Sequence, residues 1–282
     1  MPNASAASAG VPEPANRTML RTRIITALIL APAVIAAIYL LATPWLACLL
    51  WMVAAAGAWE WAALAGLSSM PLRAAYVGML TVVAILLYVN PDIQLIWLQS
   101  LAAFWVVAFI VVLSYPGSGT WVINSWTVGL AGALVLPGAV LGLITIHSLP
   151  DGANWLLFSL LICWAADIGA YFAGRAFGHH KLAPAVSPGK TWEGALGGLL
   201  LTLIVCAGLL VANDQFRPAW IPVLLALVGV SILGDLFESL LKRATGIKDS
   251  GQLLPGHGGV LDRVDSILSV APWFALWMLR YA

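Results

Sequence analysis

The chain alternates long apolar stretches with short polar breaks. Runs of about 17–25 mostly apolar residues, the length a helix needs to cross a bilayer, number nine: approximately 24–42, 45–66, 74–90, 93–114, 128–148, 154–175, 192–212, 219–241 and 266–281. The breaks fall at Pro44, Pro71, Pro91, the Tyr115–Gly119 turn, Pro150-Asp151-Gly152, a polar loop at 176–191, Asn213–Pro218 and a long loop at 242–265. The expected fold is all-α, a polytopic helical membrane protein of about nine spans. Residues 1–23 read as a disordered tail with a basic flank, 24–148 as spans 1–5, and 149–282 as spans 6–9 with the loops 176–191 and 242–265. The first run is longer than the apolar segment of a secretory signal, so it is read as a retained span.

Composition fixes the solvent. The sequence is 62% hydrophobic and only 9% charged, against roughly 25% charged in an ordinary soluble domain, so lipid must cover much of it. A net charge of +1 gives no footprint for nucleic acid. Cys48, Cys163 and Cys206 lie inside apolar runs at unrelated spacings, which supports neither a zinc site nor a disulfide framework. With the N-terminus cytoplasmic, the cytoplasmic segments hold Arg17, Arg21, Arg23, Arg73, Arg175, Lys181, Lys190, Lys242, Arg243, Lys248 and Arg263, and the opposite side only Arg217 and Arg280. Eleven against two follows the positive-inside bias. It predicts a cell-membrane protein whose two richest loops face the cytosol.

The charges the chain does carry are concentrated. From Ser231 to Ser266 lie nine of the 25 formal charges: Asp235, Glu238, Lys242, Arg243, Lys248, Asp249, Asp262, Arg263 and Asp265; His257 is there too. Charge beside a bilayer is costly unless paired, metal-bound or wet, so the cluster is read as a site. Asp235, Glu238, Ser239 and Lys242 fall at i, i+3, i+4 and i+7, on one face of the eighth span. Asp262 and Asp265 share a face if the ninth helix begins there. Carboxylates on separate helices, together with phosphate oxygens, suit Mg²⁺, and a second cation would help clamp a phosphoryl group. The alternative is an ion-pair lattice joining Asp262 and Asp265 to Lys242, Arg243 or Arg263. Pro255-Gly256-His257-Gly258-Gly259 is a loop whose glycines let backbone approach a ligand.

Two further groups precede this cluster. Asp167 and Tyr171 lie on one face of the sixth span, beside the small residues Ala166, Gly169, Ala170 and Ala173, which admit another backbone. Asp167 is expected either to work on cations and phosphates or to be held by a neighbouring Arg or Lys. In Ser187-Pro188-Gly189-Lys190-Thr191-Trp192-Glu193-Gly194, Ser187 reads as a helix N-cap and Pro188 as the first helical residue. That would place a phosphate-binding helix start beside Lys190. A P-loop is excluded, because its upstream glycine and preceding strand are missing. Glu60, the one acid inside the first five spans, is expected to pair with Arg73 or else to belong to the site. His147, His179 and His180 read as interface residues.

The run Ser239-Leu-Leu-Lys242-Arg243, then Lys248-Asp249, then Pro255-Gly-His257-Gly-Gly259, then Asp262-Arg263-Val-Asp265 resembles the signature of the phosphatidate cytidylyltransferases. The Asp167–Gly178 and Ser187–Gly194 runs are similar to that family in the same order, whereas residues 1 to about 150 match only as a series of spans. The resemblance implies transfer of a cytidylyl group from CTP to phosphatidic acid, with Mg²⁺, giving CDP-diacylglycerol and pyrophosphate. It implies that Asp235 and Asp262 hold metal, with Glu238 and Asp265 beside them. Lys190, Lys242, Arg243 and Lys248 would lie near phosphates. Asp167, Ser187, Thr191, Glu193, Ser239, Asp249, His257, Gly258, Gly259 and Arg263 complete the expected substrate contacts. Small residues on the spans permit a homodimer. A transporter would instead show a midplane site in two related halves, and a CDP-alcohol phosphotransferase a paired Asp-Gly pattern; neither is visible.

Overall fold

The computed structural model describes residues 28–117, 123–247, 250–251 and 258–281. The N-terminal tail and its basic flank, Lys248, Asp249 and His257 lie outside the described residues. Among those described, the helices are α1 (Leu28–Leu40), α2 (Thr43–Leu64), α3 (Met70–Val89), α4 (Pro91–Ser114), α5 (Ser125–Ser148), α6 (Gly152–Phe177), α7 (Trp192–Ala212), α8 (Trp220–Thr245) and α9 (Leu261–Tyr281). Each corresponds to one of the apolar runs. Seven, α2 to α8, are long and apolar enough to cross a membrane. Helix α9, which opens on Asp262, Arg263 and Asp265, falls outside that set. Among the described residues the fold is all-α apart from one hairpin, β1 (Lys181–Ala183) paired antiparallel with β2 (Ser187–Thr191).

Helices α5 and α9 run through the middle of the bundle. In α5, glycines stand wherever a bulky or backbone group comes close. A Cβ on Gly132 would overlap the Trp61 and Tyr76 side chains, and one on Gly142 would stand 2.9 Å from the Ala271 carbonyl carbon of α9. Polar ring atoms then find α5 carbonyls: Trp61 Nε1 donates to Val128 O (2.8 Å) and the Tyr76 hydroxyl to Gly129 O (2.7 Å). Small residues for close approach, plus a few interhelical hydrogen bonds, are what hold helices together where apolar burial alone cannot discriminate partners.

The bundle has two unlike ends. At one, an aromatic cluster of Trp155, Phe158, Trp220, Phe274, Trp277 and Tyr281 joins α6, α8 and α9, with Trp155 and Trp220 stacked at 5.6 Å. At the other end lie the α2–α3 link, the hairpin and the entry to α9. Arg73, Arg175, Lys181, Lys190, Lys242, Arg243 and Arg263 all belong to elements at this second end, whereas Arg217 sits over the Tyr281 ring at the aromatic end.

Candidate active site

Helices α6 and α7 touch backbone to backbone. A Cβ on Gly169 would stand 2.5 Å from Gly197 O, and one on Gly198 2.5 Å from Ala166 O. The small-residue stripe read on the sixth span therefore does admit a neighbour, and that neighbour is α7. The hairpin closes the α6–α7 connection. Val186 at its turn is buried, and Val186 O accepts a hydrogen bond from Arg243 Nε of α8 (3.3 Å). His180 N–H donates to both Glu193 oxygens (3.2 Å each), its ring Nδ1 lies 2.6 Å from Glu193 Oε1, and Trp192 N–H donates to His180 O (2.9 Å).

This hairpin corrects the expected helix start at Ser187. Ser187 pairs with Ala183 in the strand register, and α7 begins four residues later with buried Thr191 as N-cap, its Oγ1 accepting from Gly194 N–H (3.1 Å). Ser-Pro fits a helix opening locally, but Val186 is drawn into the core and the following residues are held extended. Such a cap typically contributes about 1 kcal/mol. Thr191 and Glu193 are thus occupied in shaping the hairpin, and Lys190 is left on β2 facing α8.

Lys190 Nζ lies 2.6 Å from Asp235 Oδ2 of α8, and the Ser239 hydroxyl donates to Asp235 Oδ1 (3.4 Å). One turn further, Lys242 Nζ bridges Glu238 Oε2 (3.1 Å) on its own helix and Asp262 Oδ1 (2.6 Å) on α9. Glu238 Oε1 is buried with no hydrogen-bond partner among the described residues. The expected eighth span stops at 241, but α8 runs to Thr245 and ends at Gly246, in the left-handed region at φ 73°. Buried Leu240 and Leu241 keep the helix going, which fixes Lys242 and Arg243 in its last turn.

Asp262 is held from both sides. Its Oδ2 accepts Gly259 N–H (2.8 Å) and Ser250 N–H (3.3 Å) while Oδ1 faces Lys242. Gly258 has φ +81°, and a Cβ there would stand 2.8 Å from Asp262 Oδ2, so glycine is required twice over. Helix α9 opens at Leu261 rather than 266, so Asp262 in its first turn and Asp265 three residues on do share a face. Asp265 Oδ1 accepts Ser266 N–H (2.7 Å), and its carboxyl feels the charges of Asp235, Glu238 and Lys190. Asp167, exposed on α6, feels those of Asp235, Lys190 and Arg263.

Four elements, α6, β2, α8 and α9, thus converge, bringing Asp167, Lys190, Asp235, Glu238, Ser239, Lys242, Asp262 and Asp265 together. The acids outnumber the bases among them, and one buried carboxyl oxygen has no partner among the described residues, which suits a cation. Among the described residues no three His, Cys, Asp or Glu side chains form a ready-made metal cage. A cation here would need phosphate or water oxygens to complete its shell, as Mg²⁺ commonly does. Of the ion-pair lattice anticipated as an alternative, the Asp262–Lys242 pair is present, and Lys242 is shared with Glu238, which that lattice did not include.

One participant was read in the sequence only as the second of two alternatives. Glu60 does not pair with Arg73; Arg73 Nε donates to Leu67 O (2.8 Å) and its guanidinium lies over Trp59. Glu60 is buried on α2 and accepts Val260 N–H (3.0 Å), Leu261 N–H (3.0 Å) and the Ser250 hydroxyl (3.1 Å). The one hint was an acid inside an apolar run.

The chain is similar to known proteins along most of its length. The profile of the Cytidylyltransferase family matches residues 21–281. A protein of Pseudomonas aeruginosa named phosphatidate cytidylyltransferase is 42% identical over 267 residues, covering 92% of this chain and 97% of the relative. One of the same name from Haemophilus influenzae is 37% identical over 283 residues, covering 91% and 98%. A third, from Brucella suis, is 50% identical over 136 residues, about half of each chain.

Proposed function

Because the chain belongs to the Cytidylyltransferase family, it is a nucleotidyltransferase, and we propose that it transfers the cytidylyl group of CTP to phosphatidic acid in phospholipid synthesis. The observation that carries this assignment to the site is the paired arrangement at one end of the bundle. Lys190 and Lys242, from different elements, each neutralise an acid, Asp235 and Asp262 respectively. Both kinds of group are needed when two phosphate anions must meet.

In the proposed reaction a phosphate oxygen of phosphatidate attacks the α-phosphorus of CTP. A P–O bond forms there as the bond from the α-phosphorus to the α–β bridging oxygen of CTP breaks, and pyrophosphate leaves with that oxygen and the electron pair. The attacking phosphate is already anionic, so no protein base has to remove a proton. The work left to the protein is positioning and charge neutralisation. Lys190 and Lys242 turn from their carboxylate partners toward phosphate oxygens, and Arg243, anchored to the hairpin, adds a third cationic group at that end. Asp262 stays where the Gly259 and Ser250 N–H groups hold it.

The carboxylates fit Mg²⁺: Asp235 and Asp262 would hold it, with Asp265 and Glu238 available to a second cation. Bound there, it would supply further neutralisation of the triphosphate. The side bearing the site is the cytoplasmic one in this proposal, because the Lys/Arg-rich end carries it. There it meets cytosolic CTP while phosphatidate arrives at headgroup depth.

The decisive assay incubates the purified protein in detergent with labelled CTP, phosphatidate and Mg²⁺. A labelled CDP-lipid with stoichiometric pyrophosphate is the expected product; neither forming, with CTP intact, would reject the assignment. For sidedness, a cysteine replacing exposed Lys181 should react with a membrane-impermeant maleimide only from the cytoplasmic side.

A further inference from the structure

Glu60 stands apart from the groups discussed so far. It lies in the half of the chain that supplies no other site residue, yet both its carboxyl oxygens are spent on the segment that carries Asp262. Oε1 accepts Val260 N–H, and Oε2 accepts Leu261 N–H and the Ser250 hydroxyl. Val260 and Leu261 open α9, where N–H groups have no helical acceptor and a carboxyl group is favoured. Ser250 links the two acids directly, its hydroxyl on Glu60 and its N–H on Asp262.

The surrounding residues make room for this contact. A Cβ on Gly259 would stand 2.5 Å from Glu60 Oε2, and one on Gly251 would overlap Oε1. One turn back on α2, Gly57 receives buried Leu261, whose Cδ2 would stand 3.1 Å from a Cβ there. Helix α2 therefore holds both the side chain and the backbone of Leu261, one residue before Asp262.

We propose that Glu60 is a positioning residue of the site: through Ser250 and the Val260–Leu261 backbone it fixes where Asp262 stands. This rests on the role given above to Asp262. It also gives the N-terminal helices a part in the chemistry beyond carrying the chain through lipid. Glutamine is the informative replacement. It keeps the shape, but its NH₂ must face a backbone N–H or the Ser250 hydroxyl where an acceptor is needed.

The test uses the full chain in detergent. In Glu60→Gln, hydrogen exchange of the amides between 258 and 263 should speed up at least tenfold while those of α5 and α6 hold. Turnover should fall about 10–100-fold, as when an outer partner of a ligand is lost. The Mg²⁺ concentration for half-maximal rate should rise, with KM for phosphatidate unchanged. Ser250→Ala should shift the same readouts in the same direction by less, and it serves if the glutamine variant does not fold. Unchanged exchange at 258–263, or faster exchange throughout the bundle, overturns the proposal. So does faster local exchange with unaltered turnover and Mg²⁺ dependence. A wild-type protein that makes no CDP-lipid rejects the reaction assigned above, and the exchange result still decides whether Glu60 clamps α9.

Discussion

The two ends of the bundle are built on different physics although α6, α8 and α9 run through both. At the aromatic end, ring packs on ring: Trp220 is fully buried against Trp155, Phe158, Phe274, Trp277 and Tyr281. Few polar atoms are involved beyond the His147 contacts to Thr43 and Ile38 O and the Tyr39–Asn154 bond. At the polar end the same helices are joined through Lys190–Asp235, Lys242–Asp262 and the Glu60 contacts. Ring packing has one good arrangement and needs no ligand. A lysine facing a carboxylate can exchange it for a phosphate, and the carboxylate can exchange the lysine for a cation. One end fixes the helices; in the proposed reaction the other lets charges change partners around a fixed backbone.

That contrast breaks first at Asp262. Asp262→Asn keeps an oxygen for the Gly259 and Ser250 N–H groups and leaves Lys242 its Glu238 partner, so the bundle should stay folded. The negative charge is lost, and turnover should fall on the order of 10²–10³-fold, the scale for removing one preorganised electrostatic group. Labelled-CTP turnover beside a thermal unfolding curve checks both halves; retained turnover would remove Asp262 from the chemistry. The next largest effect is expected at Lys190. Lys190→Met takes away one charge-assisted contact of about 1.5–3 kcal/mol, or about 10–100-fold in rate. If Lys190 served only to pair with Asp235, the loss would instead appear in the melting temperature.

How much of this was legible beforehand depends on the reach of each contact. The helices were readable because lipid forces a crossing segment to satisfy its backbone internally, leaving helix as the only form for a long apolar run. The face shared by Asp235, Glu238, Ser239 and Lys242 was readable for the same local reason. Element ends were not. The end of α8 at Thr245 depends on burial of Leu240 and Leu241, and the hairpin depends on Val186 entering the core, which Ser187-Pro188 does not reveal. Glu60 was least legible of all. Arg73 is its nearest basic residue in sequence, whereas its partners lie about 200 residues away on a loop and a helix start, and nothing local encodes that meeting. The residue types of the site could be read, but not which acid faces which base.

A smaller effect on turnover is expected at the outer edge of the hairpin. Glu193 was expected to contact substrate, but its oxygens are turned to His180, itself exposed. Exposed pairs of this kind contribute little. Glu193→Gln should lower turnover by less than about fivefold. A loss as large as that of Lys190→Met would return Glu193 to direct substrate contact.

The least effect on chemistry, and the sharpest control, is expected at the opposite end. Trp220→Ala removes a fully buried ring from the centre of the aromatic cluster, a truncation that costs about 3–5 kcal/mol in well-packed cores. Its melting temperature in detergent should drop well below that of Asp262→Asn, while turnover per folded molecule, measured well under the new melting point, stays at the wild-type value. The two variants then separate what the ends do: one loses rate with its fold intact, the other loses stability with its rate intact. Should Trp220→Ala slow turnover while still fully folded, the aromatic end would be transmitting strain along α8 to Asp235, and the division of labour between the ends would fail.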